Sequence, residues 1–273
     1  MTTMPNSRNW YYEKCINSDR LLITVGDSWT WGDSLGPVED EGKNDDNFDY
    51  RTTHIYGALL ANRLNSDFVN MAIPGGSNVG MHDNLKKALP QVINNYKQID
   101  VIINLTENGR EIADDPIWTN NINFNNLNSF LLSYEETMLN AFNTLFNQYP
   151  TINFILSRNF TFTFNENLSI CGENLLEKNW VEILELNQKH PSVYPKTTRM
   201  LTIMAIEAII SFMTKSGKAS EFKRDLVELF IESEIAISWL DHSELNNKHF
   251  SRHPTEKAHK LWADYLYTAI NKY

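Results

Sequence analysis

Short runs of consecutive apolar residues alternate along this chain with longer stretches whose apolar positions recur at helical spacing. The runs are residues 21–25 (LLITV), 67–71 (DFVNM), 101–105 (VIINL), 152–156 (INFIL) and 235–240 (IAISWL). They are rich in β-branched residues and nearly continuous in apolar character, which suits strands buried on both faces of a parallel sheet. Helical periodicity predicts helices over 54–64, 81–96, 133–147 and 255–270. Strands alternating with helices imply βαβ units, with helices covering both faces of the sheet. The expected fold is α/β, a three-layer α/β/α sandwich around a mainly parallel five-stranded sheet.

The 273 residues show no repeat period and read as a single domain, 1–273. One stretch exceeds the minimal pattern. Residues 158–233 separate the last two predicted strands, where one crossover helix would suffice. Within it 197–215 and 221–232 look helical, while FTFTF at 160–164 alternates. This predicts a largely helical insertion over the carboxyl edge of the sheet, acting either as a lid or as an enlargement of the core. Ligands of open α/β sheets bind outside that edge.

Charge narrows the partners. A formal net charge of −10 repels phosphate backbones, and no basic patch offsets it, so nucleic acid is not an expected partner. The most apolar run, 200–213, is too short to span a bilayer and contains Glu207, so no membrane partner is expected either. The N-terminus carries no apolar stretch of signal-peptide length, which makes the cytoplasm the expected location. Cys15 and Cys171 lie far apart without a CxxC context and read as ordinary reduced thiols. Composition says nothing of oligomeric state.

Candidate chemistry begins at 25–36, VGDSWTWGDSLG, where Gly-Asp-Ser occurs twice. The first copy, Gly26-Asp27-Ser28, follows the strand LLITV directly. A tight turn there presents the Ser28 hydroxyl at the strand's carboxyl end. Ser34, in the second copy, has no strand feeding it and is the lesser candidate. A serine hydroxyl needs a base to take its proton. Of the seven histidines, His253 has the informative context, because His253-Pro254-Thr255 opens the last predicted helix after the final strand.

The string Gly26-Asp27-Ser28-x-Thr30-x-Gly32 resembles the first block of the SGNH (GDSL-like) hydrolase family, whose fold is flavodoxin-like. The His253-Pro254 pair with His259 six positions on resembles its last block. The resemblance implies Ser28 as nucleophile and His253 as general base, with His259 a helix residue. The family's second block has an asparagine and, five residues on, a glycine whose N–H faces the oxyanion. Asn70 and Gly75 match that spacing, while Ala72 stands where another glycine is common. Of the third block, Gly-x-Asn-Asp, only Asn108 carries over, as a side-chain oxyanion donor. Thr106 and Gly109 replace its first and last residues. The implied oxyanion hole is therefore the N–H groups of Ser28 and Gly75 with the Asn108 amide.

The family's orienting acid lies three residues before the histidine, and here that position is Phe250. Either Ser28 and His253 act as a dyad or a carboxylate arrives from elsewhere. Asp241, with Glu244 as the other nearby carboxylate, is the preferred candidate. Glu107 and Arg110 are candidate substrate contacts, as are Trp29 and Trp31, whose rings could stack on sugar faces or belong to the core.

The expected function is a serine ester hydrolase that removes a small acyl group, acetyl foremost, from a carbohydrate or similar polar substrate. Neither metal nor organic cofactor is expected. The alternative is a non-catalytic carbohydrate-binding or assembly protein on the same scaffold, an idea prompted by the missing acid.

Overall fold

The computed structural model describes residues 11–32, 35, 48–106, 127–159, 174, 176, 180, 254 and 256–271. In chain order these form β1 (Tyr11–Lys14), β2 (Arg20–Val25), α1 (Ser28–Trp31), α2 (Phe48–His54), α3 (Tyr56–Leu64), β3 (Asp67–Asn70), α4 (Asn78–Val92), β4 (Gln98–Leu105), α5 (Leu127–Gln148), β5 (Asn153–Arg158) and α6 (Glu256–Ile270).

The sheet has the order β1-β3-β2-β4-β5. β2 pairs in parallel with both β3 and β4, and β4 with β5, so four strands run the same way. Four of the five expected strands are these four. The fifth, 235–240, lies outside the described residues, as do both helices expected within the insertion. A strand that apolar patterning did not reveal, β1, closes the other edge antiparallel to β3.

Period-two alternation divides the strands between two cores. Leu21, Ile23 and Val25 of β2 point into one, with Val69, Val101, Ile103, Phe154, Leu156 and the apolar faces of α4 and α5. Leu22 points into the other, with Phe68, Ile102, Ile155 and the apolar faces of α3 and α6. The fold is thus an α/β sandwich of three layers, as the patterning implies. In the second core Trp180 meets Trp29 edge-on at 5.5 Å and stacks on Trp262 at 5.6 Å, a row of indoles from α1 to α6.

Helix boundaries differ from the periodicity in one instructive place. The expected helix 54–64 is α3, which starts at Tyr56; His54 ends α2, and between them Ile55 is extended and gives α3 no side-chain cap. The missing cap is supplied from α6: His259 Nδ1 accepts the N–H of Tyr56 at 3.1 Å.

The connection from β2 to β3 carries α3 on one face, and the connection from β3 to β4 carries α4 on the other. The strand order therefore reverses direction at β2. Crevices at such switch points, beyond the carboxyl ends of the strands, are where α/β sheets place ligands.

Candidate active site

At that crevice β2 ends in Val25, and the next residues are Gly26, Asp27 and Ser28. Asp27 caps a single helical turn, its carboxylate accepting the Trp29 N–H at 3.0 Å. Gly32 closes the turn in the left-handed region at φ 79°, donating to Ser28 O. Ser28 is the first residue of this turn and 7% exposed. N–H groups of a helix's first turn have no intrahelical partner, and Ser28 supplies one of them.

Gly26 is required by packing. A Cβ there would lie 2.1 Å from Thr30 Oγ1, so α1 folds directly onto the glycine.

The loop after β3 is drawn beside this turn by backbone bonds. Met71 N–H donates to Thr24 O at 2.7 Å and Ile73 N–H to Gly26 O at 3.0 Å. Gly75 then stands exposed at φ 71°, and a Cβ on it would meet nothing within 4 Å. Its conformation, not crowding, selects glycine. Asn70 at the end of β3 is fully buried: its Oδ1 accepts from Ala72 N–H and Thr24 Oγ1, and its amide donates to Thr30 O at 3.3 Å.

Beneath the crevice lies a network of buried polar groups drawn from every parallel strand end. Asp27 Oδ2 accepts from Thr106 Oγ1 at 2.8 Å and from Asn159 Nδ2 at 3.0 Å. Asn159 in turn accepts from Asn104 Nδ2, and Asn104 Oδ1 accepts from Ser157 Oγ at 2.7 Å. Asn104 Nδ2 also reaches Thr30 Oγ1, as does the Tyr56 hydroxyl. Burial foremost, with the charge on Asp27, pushes the Tyr56 phenol above its ordinary value despite the opposing bond to Thr30. The phenol therefore stays a donor at neutral pH. Buried polar groups satisfied in this way hold their neighbours in one arrangement.

Thr106, one residue past β4, is held on all sides. Its N–H donates to Asn78 Oδ1 at 3.0 Å, its carbonyl accepts from Asn78 Nδ2 at 3.1 Å, and its hydroxyl donates to Asp27.

Among the sequence-predicted site residues, Ser28 and Gly75 thus sit on adjacent loops at the switch point. Asn108, His253, Asp241, Glu107 and Arg110 lie outside the described residues. Their nearest described neighbours in the chain are Thr106, already placed, and Pro254, which is buried at the approach to α6. Trp29 is 7% exposed and packs against Trp180, and the Arg51 guanidinium lies 4.2 Å over the ring of Trp31. Sequence reasoning missed Asp27, Asn78, Thr106 and Asn159 as site-building residues. One signal was available: apolar strands whose last or following residues turn polar, as in Asn70, Asn104-Leu105-Thr106 and Ser157-Arg158-Asn159.

Among the described residues no group of three or more His, Cys, Asp or Glu side chains is placed to hold a metal ion. No described helix is long and apolar enough to cross a membrane.

No protein-family model matches the chain, and no curated protein matches it in sequence. Solved structures do resemble it. One is a carbohydrate esterase whose active site displays divergent catalytic and non-catalytic binding functions, at 15% identity over 95% of this chain and 67% of that one, with a TM-score of 0.45. The psychrotrophic esterase EstA from Pseudoalteromonas sp. is 15% identical over 92% of this chain and 97% of its own, with a TM-score of 0.40. Axe2, an acetylxylan esterase from Geobacillus stearothermophilus, is 13% identical over 93% of this chain and 94% of its own, with a TM-score of 0.37. Likeness at this level assigns neither reaction nor substrate to the present chain.

Proposed function

We propose that this protein is a serine ester hydrolase of the SGNH type that removes a small acyl group, acetyl foremost, from a carbohydrate or similarly polar ester. The observation that carries the reading is the placement of Ser28. It opens a capped helical turn at the carboxyl end of β2, where the strand order reverses, with the Gly75 loop bonded alongside.

In this reading Ser28 Oγ attacks the ester carbonyl carbon while His253 takes the hydroxyl proton. Negative charge gathers on the carbonyl oxygen, facing the N–H groups of Ser28 and Gly75 and the Asn108 amide. Donors of this kind are worth about 3–4 kcal/mol each in the transition state. The C–O bond breaks, His253 returns the proton to the departing alcohol, and an acyl-serine remains. Water, deprotonated by the same imidazole, then releases the acid. Asp241 is the proposed orienting carboxylate for His253.

The test is turnover of a short-chain p-nitrophenyl ester, with fluorophosphonate labelling mapped by mass spectrometry. The expected result is label on Ser28 and loss of both label and turnover in Ser28→Ala and His253→Ala. Label on Ser34 would refute the assignment. A second reading, a non-catalytic carbohydrate-binding or assembly protein, is favoured by Phe250 at the acid position. It requires that neither turnover nor Ser28-dependent labelling occur.

A further inference from the structure

We propose that Asn159 is a positioning residue for Ser28, acting through the Asp27 carboxylate, an inference that rests on the esterase reading above. Asn159 follows β5 directly and is fully buried. Its N–H donates to Leu105 O at 3.0 Å, which extends the β4–β5 pairing by one step and fixes its backbone on the sheet. Its amide is engaged at both ends. Nδ2 donates to Asp27 Oδ2 at 3.0 Å, and Oδ1 accepts from Asn104 Nδ2. Asn104 is itself held, since its Oδ1 accepts from Ser157 Oγ at 2.7 Å.

Asp27 immediately precedes Ser28 and caps its turn, with Oδ1 accepting the Trp29 N–H at 3.0 Å. The two carboxylate oxygens are fixed to one carbon, so a shift at Oδ2 is also a shift at the cap. Thr106 Oγ1 is a second donor to Oδ2, at 2.8 Å. Two donors, one just past β4 and one just past β5, hold that oxygen where a single one would let it pivot. Asn159 thereby ties the turn carrying Ser28 to strand ends far along the chain, through one intervening side chain.

Misplacement of a reacting group by a single ångström can cost about 100-fold in rate. Asn159→Leu keeps a branched side chain and removes both donor and acceptor. The expected result is a fall in kcat of about 10- to 100-fold on the p-nitrophenyl ester, with KM little changed. The rate at which a fluorophosphonate labels Ser28 should fall by a similar factor. A residue that only holds the fold together would lower the urea midpoint and leave both rates of the folded protein intact.

An exchange of the two groups tests the link itself. Asn159→Asp alone sets a second carboxylate against Asp27, and like charges disfavour that contact. Asp27→Asn together with Asn159→Asp again opposes an amide N–H to a carboxylate. Asparagine caps a helix as well as aspartate does, and the Thr106 hydroxyl can accept as readily as donate. The exchanged pair should therefore recover most of the kcat that Asn159→Asp loses. The inference is overturned if Asn159→Leu keeps the parent kcat and labelling rate, or if the exchanged pair is no faster than Asn159→Asp. Urea unfolding of each variant confirms that folded protein is compared, and Asn159→Ala replaces the leucine variant should that one not fold. Parent protein that neither turns over ester nor takes the label, or turnover that survives Ser28→Ala, overturns the esterase reading and this inference with it. Loss in Ser28→Ala with parent rates in Asn159→Leu overturns the positioning role alone.

Discussion

His259 Nδ1 accepts the backbone N–H of Tyr56 at 3.1 Å, a bond that closes 203 positions of chain and caps α3 from α6. The acceptor role leaves the ring proton on Nε2, so the imidazole is neutral in this arrangement. His259→Leu removes the acceptor from a fully buried site and is expected to cost about 1–3 kcal/mol. Urea denaturation should show a lower midpoint with an unchanged slope. An unchanged midpoint would mean that the bond does not hold α3 to α6.

Gly26→Ala places a methyl 2.1 Å from Thr30 Oγ1 and 2.6 Å from Thr30 Cβ. Thr30 cannot easily retreat, because its hydroxyl and its carbonyl are both bonded from neighbouring elements. Overpacking of this kind costs about 1–3 kcal/mol. The variant should unfold at lower urea and, under the proposed esterase function, turn over the p-nitrophenyl ester more slowly. Adding Thr30→Ala should recover part of the lost stability, so that the pair is less destabilised than the two single changes summed. Strict additivity would contradict the steric account.

Gly75→Ala behaves differently, since nothing lies within 4 Å of the added carbon. The penalty is conformational, because φ 71° lies in the left-handed region, and amounts to about 1–2 kcal/mol. On the proposed reading, a loop that relaxes to negative φ no longer aims this N–H at the oxyanion. The expected outcome is a small loss of stability and a fall in kcat of about 100-fold, the scale of one lost oxyanion donor. Equal, modest effects on both measurements would remove Gly75 from the proposed oxyanion hole.

At the opposite end of the sheet Asp67 Oδ1 accepts N–H bonds from Ile16 at 2.8 Å and Ser18 at 3.1 Å. Its Oδ2 accepts from the Tyr96 hydroxyl at 3.0 Å and from Cys15 Sγ at 3.5 Å. Burial opposes the charge, yet these donors together outweigh it and hold the carboxyl below its ordinary value of 3.8. A depressed folded value means that the unfolded chain takes up the proton first as pH falls. The stabilisation is therefore complete above pH 3.8 and is lost as pH drops through the lower folded value. Asp67→Asn should lower the urea midpoint at neutral pH, and its gap from the parent should narrow in acid. A gap independent of pH would contradict this.

The parallel core was legible because continuous apolar runs leave little choice but burial on both faces. β1 was not, because Tyr-Tyr-Glu-Lys alternates no hydrophobic face and owes its pairing to the free edge of β3. The break at Ile55 escaped periodicity because the cap that permits it comes from His259, outside any local window. Ser28 could be preferred over Ser34 from its distance to a strand end alone. The support beneath it could not be read, since Asp27 meets partners 79 and 132 positions away. Side chains that converge through the fold leave no period in the sequence, only polar letters at the ends of apolar words.

The row of indoles from Trp29 through Trp180 to Trp262 begins on the turn that carries Ser28. Rings this close couple their electronic transitions, so the near-ultraviolet circular dichroism of the protein carries a contribution from the geometry of that turn. The molecule carries an optical gauge of the turn that holds Ser28, readable without any added dye.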